Sequence, residues 1–163
     1  DEFEKLGPVI FDQDDKDFAN KIRSTLNESD ILDSFQRIGM KAPLDMPLCN
    51  FVASLNNESN GGIGSTDVGD VSWVVPTAGF RTATWVPGTP AHSWQAVSSG
   101  GTSIGLKGAQ LAANTLALSI KEIFENPLII NKAKDELKIR TGDDFIYKPL
   151  LGDRKPPLDY RKN

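Results

Sequence analysis

The sequence predicts an α/β fold, a mixed sheet with packed helices, and three stretches carry that prediction. Two short runs, Asp70–Val75 and Phe80–Val86, are rich in Val, Trp and Thr and close on Pro76 and on Pro87-Gly88, the composition and punctuation of strands. Between Ser103 and Asn126, apolar residues fall on nearly every side, among them Ile104, Leu111, Leu116, Ile120 and Phe124. A helix of that kind is expected to be largely buried. It needs more sheet to lie on than two strands supply, so further strands are expected between Ile31 and Leu55, or else in a segment outside the chain.

The remaining elements follow in chain order. Asp12 is placed to cap a helix over residues 12–27, with acids crowding its first turn and Phe18, Ile22 and Leu26 repeating every four residues on one face. From Leu44 to Gly64 the texture turns to Pro, Asn, Ser and Gly, which reads as loop. After the long helix, Asn126 and Pro127 open another that runs to about Arg140-Thr141, where Gly142 stops it. The proline-rich tail from Asp143 reads as an extended strap. Trp73 and Trp85 are expected to anchor a core, and Trp94 to pack beside the loop before it.

Composition narrows the function. A length of 163 residues suits one domain, residues 1–163. A formal charge of −4 with dispersed cations offers no basic stripe, so nucleic acid is not an expected partner. No run reaches the ~18 apolar residues of a membrane span, and the acidic start lacks the positive region of a signal peptide. Together with the single Cys49, this points to a cytoplasmic protein without disulfides.

No complete catalytic constellation can be assembled. The Gly-x-Ser-x-Gly turn of a serine hydrolase is absent, and the spacing of Ser65, Asp67 and His92 carries no information about a triad. Gly61-Gly62-Ile63-Gly64-Ser65-Thr66 lacks the lysine of a nucleotide loop. A metal site needs three or more donors, and His92 is the one imidazole. It does sit on a loop pinned by Pro87, Gly88 and Pro90, a rigid setting of the sort that carries site residues. Asp67 and Asp70, flanked by glycines, read equally as turn formers or as site residues.

The run GSTDVGDVS over 64–72, followed by GTP-x-His-x-Trp-Gln over 88–95 and a long helix containing Gly105-Leu106-Lys107-Gly108, resembles the aminoacylase and carboxypeptidase-like di-metal amidohydrolases. The resemblance runs from about Asp12 to the proline-rich tail. It implies the C-terminal half of a zinc-peptidase-like α/β sandwich, whose N-terminal half and inserted, dimerising lid domain lie outside this chain. The implied reaction is amide hydrolysis of an N-acyl amino acid by two divalent metal ions, zinc or manganese, with a homologous second subunit as a further partner. Within it His92 would be a metal ligand, Gly64, Ser65, Thr66 and Asp67 would line the substrate, and no catalytic base would come from this chain. The portion by itself would be inactive, with no metal bound. Thr66 and Asp67 stand where many members carry a Glu-Asp pair. The rival expectation, from the residues alone, is a self-contained binding module whose Gly64–His92 wall recognises a small anion or peptide.

Overall fold

The computed structural model describes residues 2–43, 45–55, 66–159 and 161. Seven helices occur among them: α1 (Glu2–Leu6), α2 (Gln13–Arg23), α3 (Glu28–Gln36), α4 (Val68–Ser72), α5 (Trp94–Gly100), α6 (Ser103–Glu125) and α7 (Leu128–Thr141). The described residues contain no strand, so the α/β prediction is overturned. The chain divides into two compact units, Asp1–Ile63 with Phe80–Glu125, and Gly64–Gly79 with Asn126–Asn163.

The first unit holds the core. Asp12 caps α2 in a reciprocal box: its Oδ1 accepts from the Asp15 N–H at 2.9 Å, and its own N–H donates to Asp15 Oδ2 at 3.1 Å. The spacing of Asp15, Ala19 and Ile22 puts all three on the buried face of α2, with Phe18 and Leu26 half-buried beside them. Ile104 of α6, Val86, Leu48, Val9 and Phe11 complete this cluster. Each such side chain contributes about 1.5–3 kcal/mol when fully buried. In α3, Ile31 and Phe35 are one turn apart and both buried, with Phe51 against the Phe35 ring at 6.4 Å between centroids.

One member of the buried face is a carboxylate. Asp15 is closed off from solvent, and it accepts from Lys107 Nζ and Ser103 Oγ, both on the first turns of α6. Lys107 also reaches Asp12 Oδ2 at 2.8 Å. Burial pushes the Asp15 carboxyl up, but the donors from Lys107, Ser103 and the Asp12 N–H outweigh it and hold the group below the usual carboxylate range. Asp12 is also held low, chiefly by Lys107, and Lys107 is raised by the two carboxylates.

Glycines set how closely α6 is approached. A Cβ on Gly108 would lie 2.2 Å from the Ala83 carbonyl oxygen and 2.8 Å from the Thr84 methyl, and one on Gly105 would lie 2.4 Å from the Gly100 carbonyl oxygen. Phe80–Val86 therefore runs against α6 backbone to backbone, as irregular chain.

Both expected strands fail for want of a partner. Of the two runs, residues 70–75 fall in the second unit and 80–86 in the first, and an unpaired strand leaves its backbone groups without a ladder. Residues 68–72 satisfy theirs locally as α4, with Val71 N–H donating to the Asp67 carbonyl at 3.2 Å and Val75 N–H to the Val71 carbonyl at 3.0 Å. Between Ile31 and Leu55 the structure places α3 where more strands were expected. α6 is less buried than its composition predicts, only Ile104, Gly105, Gly108 and Thr115 being enclosed. Trp73 and Trp85 are likewise too exposed to anchor a core.

In the second unit, α7 begins after Asn126 and ends at Gly142 with φ 87°, close to its predicted bounds. Neither α4 nor α7 buries a residue. What ties the segment after α7 to α4 is the Trp73 ring stacked on Phe145 at 5.2 Å and the Tyr147 hydroxyl donating to Asp70 Oδ1.

Two outcomes follow for stability. Gly108→Ala should destabilise by about 1–3 kcal/mol in urea unfolding, because the added methyl meets backbone; alanine's higher helix propensity would otherwise give a gain of about 1 kcal/mol. For the ionic network, Asp15 contributes stability above its unfolded pKa of about 3.9 and loses it as pH falls through its lower folded value. Lys107 contributes below its unfolded pKa of about 10.4 and loses this as pH rises through the raised folded value. The unfolding free energy should therefore be flat between these limits. Asp15→Asn should lower that plateau by about 1.5–3 kcal/mol and flatten its acid limb.

Candidate functional site

The loop that carries His92 is built by close contact. Val86 is buried beside Ile104, and Pro87 is buried next to it. Gly88 then turns with φ 87°, and a Cβ there would sit 2.7 Å from Ile31 Cγ1 and 2.9 Å from the Ile31 backbone. The Thr89 N–H closes the turn onto the Val86 carbonyl at 3.1 Å. Four residues later, Ser93 caps α5, its Oγ accepting from the Ala96 N–H at 3.2 Å and donating to the Pro90 carbonyl at 2.7 Å.

Between these two fixed points stands His92 with φ 60°, which is the left-handed region. Among the described residues it is the one non-glycine there, and it is exposed. That conformation costs about 1–2 kcal/mol for a residue with a Cβ, and such costs persist where neighbouring structure enforces them. Trp94 beside it is more than half exposed, so it lies over the loop's outer side rather than in a core. Two hydroxyls of this loop and helix, Thr89 Oγ1 and Ser99 Oγ, are buried without a hydrogen-bond partner.

Gly64 and Ser65, two of the expected substrate-side residues, lie outside the described residues. Thr66 and Asp67 belong to the second unit and His92 to the first. Thr66 Oγ1 accepts from the Val68 N–H at 3.4 Å, and Asp67 precedes α4 without a side-chain capping bond. Asp70 is engaged by Tyr147, whose hydroxyl that carboxylate holds above its ordinary pKa, so it acts as a tie within its unit. No group of three or more His, Cys, Asp or Glu able to hold a metal occurs among the described residues. Cys49 is no thiolate, since burial pushes its thiol up to about 11.

Spacing did not reveal the set at Asp15, Ser103 and Lys107. A hint was present in Ser103 and Lys107, one turn apart on a mostly apolar helix. The set is structural: Ser103 donates its proton to an enclosed carboxylate and Lys107 is held protonated, so neither is a poised nucleophile.

No described helix is long and apolar enough to cross a membrane. No family model matches the chain, and no solved structure matches it. Over most of its length the chain is similar to a curated bacterial hydrolase subunit. That relative is a subunit of the p-aminobenzoyl-glutamate hydrolase of Escherichia coli (strain K12), 33% identical over 155 residues, which are 89% of this chain and 32% of the relative. The chain thus spans about a third of the length of the curated relative it matches.

If the loop holds His92 against its preference, His92→Gly should raise the melting temperature, the strain of about 1–2 kcal/mol being relieved in part by the greater freedom of glycine in the unfolded chain. A lowered melting temperature, with Ser93→Ala as the capping control expected to cost about 1 kcal/mol, would show that His92 is not strained.

Proposed function

We propose that this chain is one part of an amide-bond hydrolase acting on an N-acyl amino acid such as p-aminobenzoyl-glutamate. The observation that carries the reading is the similarity to a hydrolase subunit across 89% of the chain. In this reading the chain is the C-terminal portion of a split catalytic domain, and its contribution is a wall of the site. His92 presents an imidazole from a loop pinned at Gly88 and Ser93, and Gly64, Ser65, Thr66 and Asp67 face the substrate. Backbone N–H groups and hydroxyls of residues 64–67 suit the carboxylate of an acyl amino acid.

The reaction class calls for two divalent metal ions, zinc or manganese, which when bound polarise the amide and lower the pKa of water. The described residues of this chain do not fit that requirement by themselves, because His92 supplies one donor and no further ligands gather into a group. The other ligands and the proton-accepting carboxylate would come from residues beyond these 163. Dimerisation through a lid domain would lie there as well, and the relative's being named as one subunit of its hydrolase supports a homologous second subunit. The complete assembly would work in the cytoplasm.

The test is a chimera in which this chain replaces the matching segment of the Escherichia coli relative. Hydrolysis of p-aminobenzoyl-glutamate should be retained. His92→Ala in the chimera should lower turnover by at least about 10–100-fold, the loss typical of even an outer partner of a metal ligand, and lower bound metal. Near-normal turnover and metal content would remove His92 from the site, and a folded chimera without activity would contradict the reading as a whole.

A further inference from the structure

α6 has two apolar faces, and the core uses one. Ile104, Gly108, Leu111 and Thr115 turn toward the first unit's interior. On the other side, Leu106, Ala109, Ala113, Leu116, Ile120 and Ile123 are all exposed, Leu106 to 68%, Leu116 to 52% and Ile120 to 53%. Their spacing alternates three and four, which is the a/d seam of a heptad repeat. The flanking e and g positions are Gly105, Gln110, Ala112, Ala117, Ser119 and Phe124, so the face carries no charge. Lys107, Lys121, Glu122 and Glu125, the charges of α6, stand on its other sides.

The order of large and small residues along the seam commits its occupant. In a parallel pair each residue meets itself, leaving Ala109 and Ala113 as two consecutive half-empty layers, and unfilled layers are costly. In an antiparallel pair with its twofold axis between Ala113 and Leu116, Ala113 meets Leu116, Ala109 meets Ile120 and Leu106 meets Ile123. Every alanine is then filled by a large side chain of the other copy. The same axis puts Phe124, 80% exposed, opposite the Gly105 turn, where α5 packs on α6. Self-complementarity of this kind, i on j and j on i, is what a twofold interface requires. The uncharged flanks bring no like charges together.

We propose that two copies of this chain associate through α6 as an antiparallel helix pair. The seam from Leu106 to Ile123 is about 26 Å long. One such strip is smaller than the roughly 1,200 Å² of a stable complex, so the dimer is of micromolar strength.

Sedimentation velocity over a hundredfold range of concentration should show a monomer–dimer equilibrium. Leu116→Glu should weaken it at least about tenfold, as for truncation of a central contact, with an unchanged circular dichroism spectrum because the residue is exposed. Orientation is read by cysteine pairing in a Cys49→Ser background. Chains carrying Ala109→Cys mixed with chains carrying Ile120→Cys should give the mixed disulfide, and each alone should give little. A strict monomer, a dimer indifferent to Leu116→Glu, or disulfides formed by each variant with itself would overturn the proposal. A monomer whose α6 face binds an apolar dye would assign that face to another segment or partner.

Discussion

The buried carboxylate of Asp15 is the constraint on which the first unit depends. A charge removed from water costs several kcal/mol unless it is paired and hydrogen-bonded. Here the remedy comes from two directions, the capping box of its own helix and the first turns of α6, 88 and 92 residues away. Satisfying Asp15 therefore fixes the start of α6 against the start of α2. Ile104 then falls beside Ala19 and Ile22 in the core, and the glycine face of α6 meets Ala83 and Thr84. That contact leads the chain into Val86, Gly88 and the loop of His92. A long-range ion pair thus sets the path of a loop it does not touch.

Stability should be graded along the chain. Buried apolar contact is concentrated around α2, α3 and the first half of α6, whereas α4 and α7 bury nothing and rely on one ring pair, one tyrosine bond and exposed ion pairs such as Lys138 with Asp143 at 3.0 Å. Exposed pairs contribute about 0–1 kcal/mol each. Elements of that kind open locally at low free energy. The division matters for function because Thr66 and Asp67 belong to the weakly held unit and His92 to the tightly packed one.

Local signals were legible in the sequence and partnership was not. The Asp12 cap, the start of α6 at Ser103 and the Gly142 stop of α7 each rest on a few neighbouring residues, and each is where the sequence put it. Valines and tryptophans in 70–75 and 80–86 carry strand composition, but a strand exists only with a partner, and neither run has one among the described residues. α3 was hidden because Ile31 and Phe35 are just two apolar anchors in a polar stretch. The apolar character of α6 was read as burial, whereas it reflects one face in the core and another on the surface. For the site, the rigid setting of His92 was legible from Pro87, Gly88 and Pro90. Its left-handed backbone was not, since nothing in Ala91-His92-Ser93 encodes it apart from the caps on either side.

Amide hydrogen exchange resolved by residue tests the dependence on Asp15 most directly. The slowest amides should lie in Lys16–Arg23 of α2 and in α6 from Lys107 to Thr115, exchanging only with global unfolding, while 68–75 and the last turns of α6 exchange much faster. Asp15→Asn should erase the difference between the two halves of α6. Greatest protection in 70–75 and 80–86, or protection uniform along α6 and unaffected by that substitution, would mean that the fold is organised around a sheet or another contact instead.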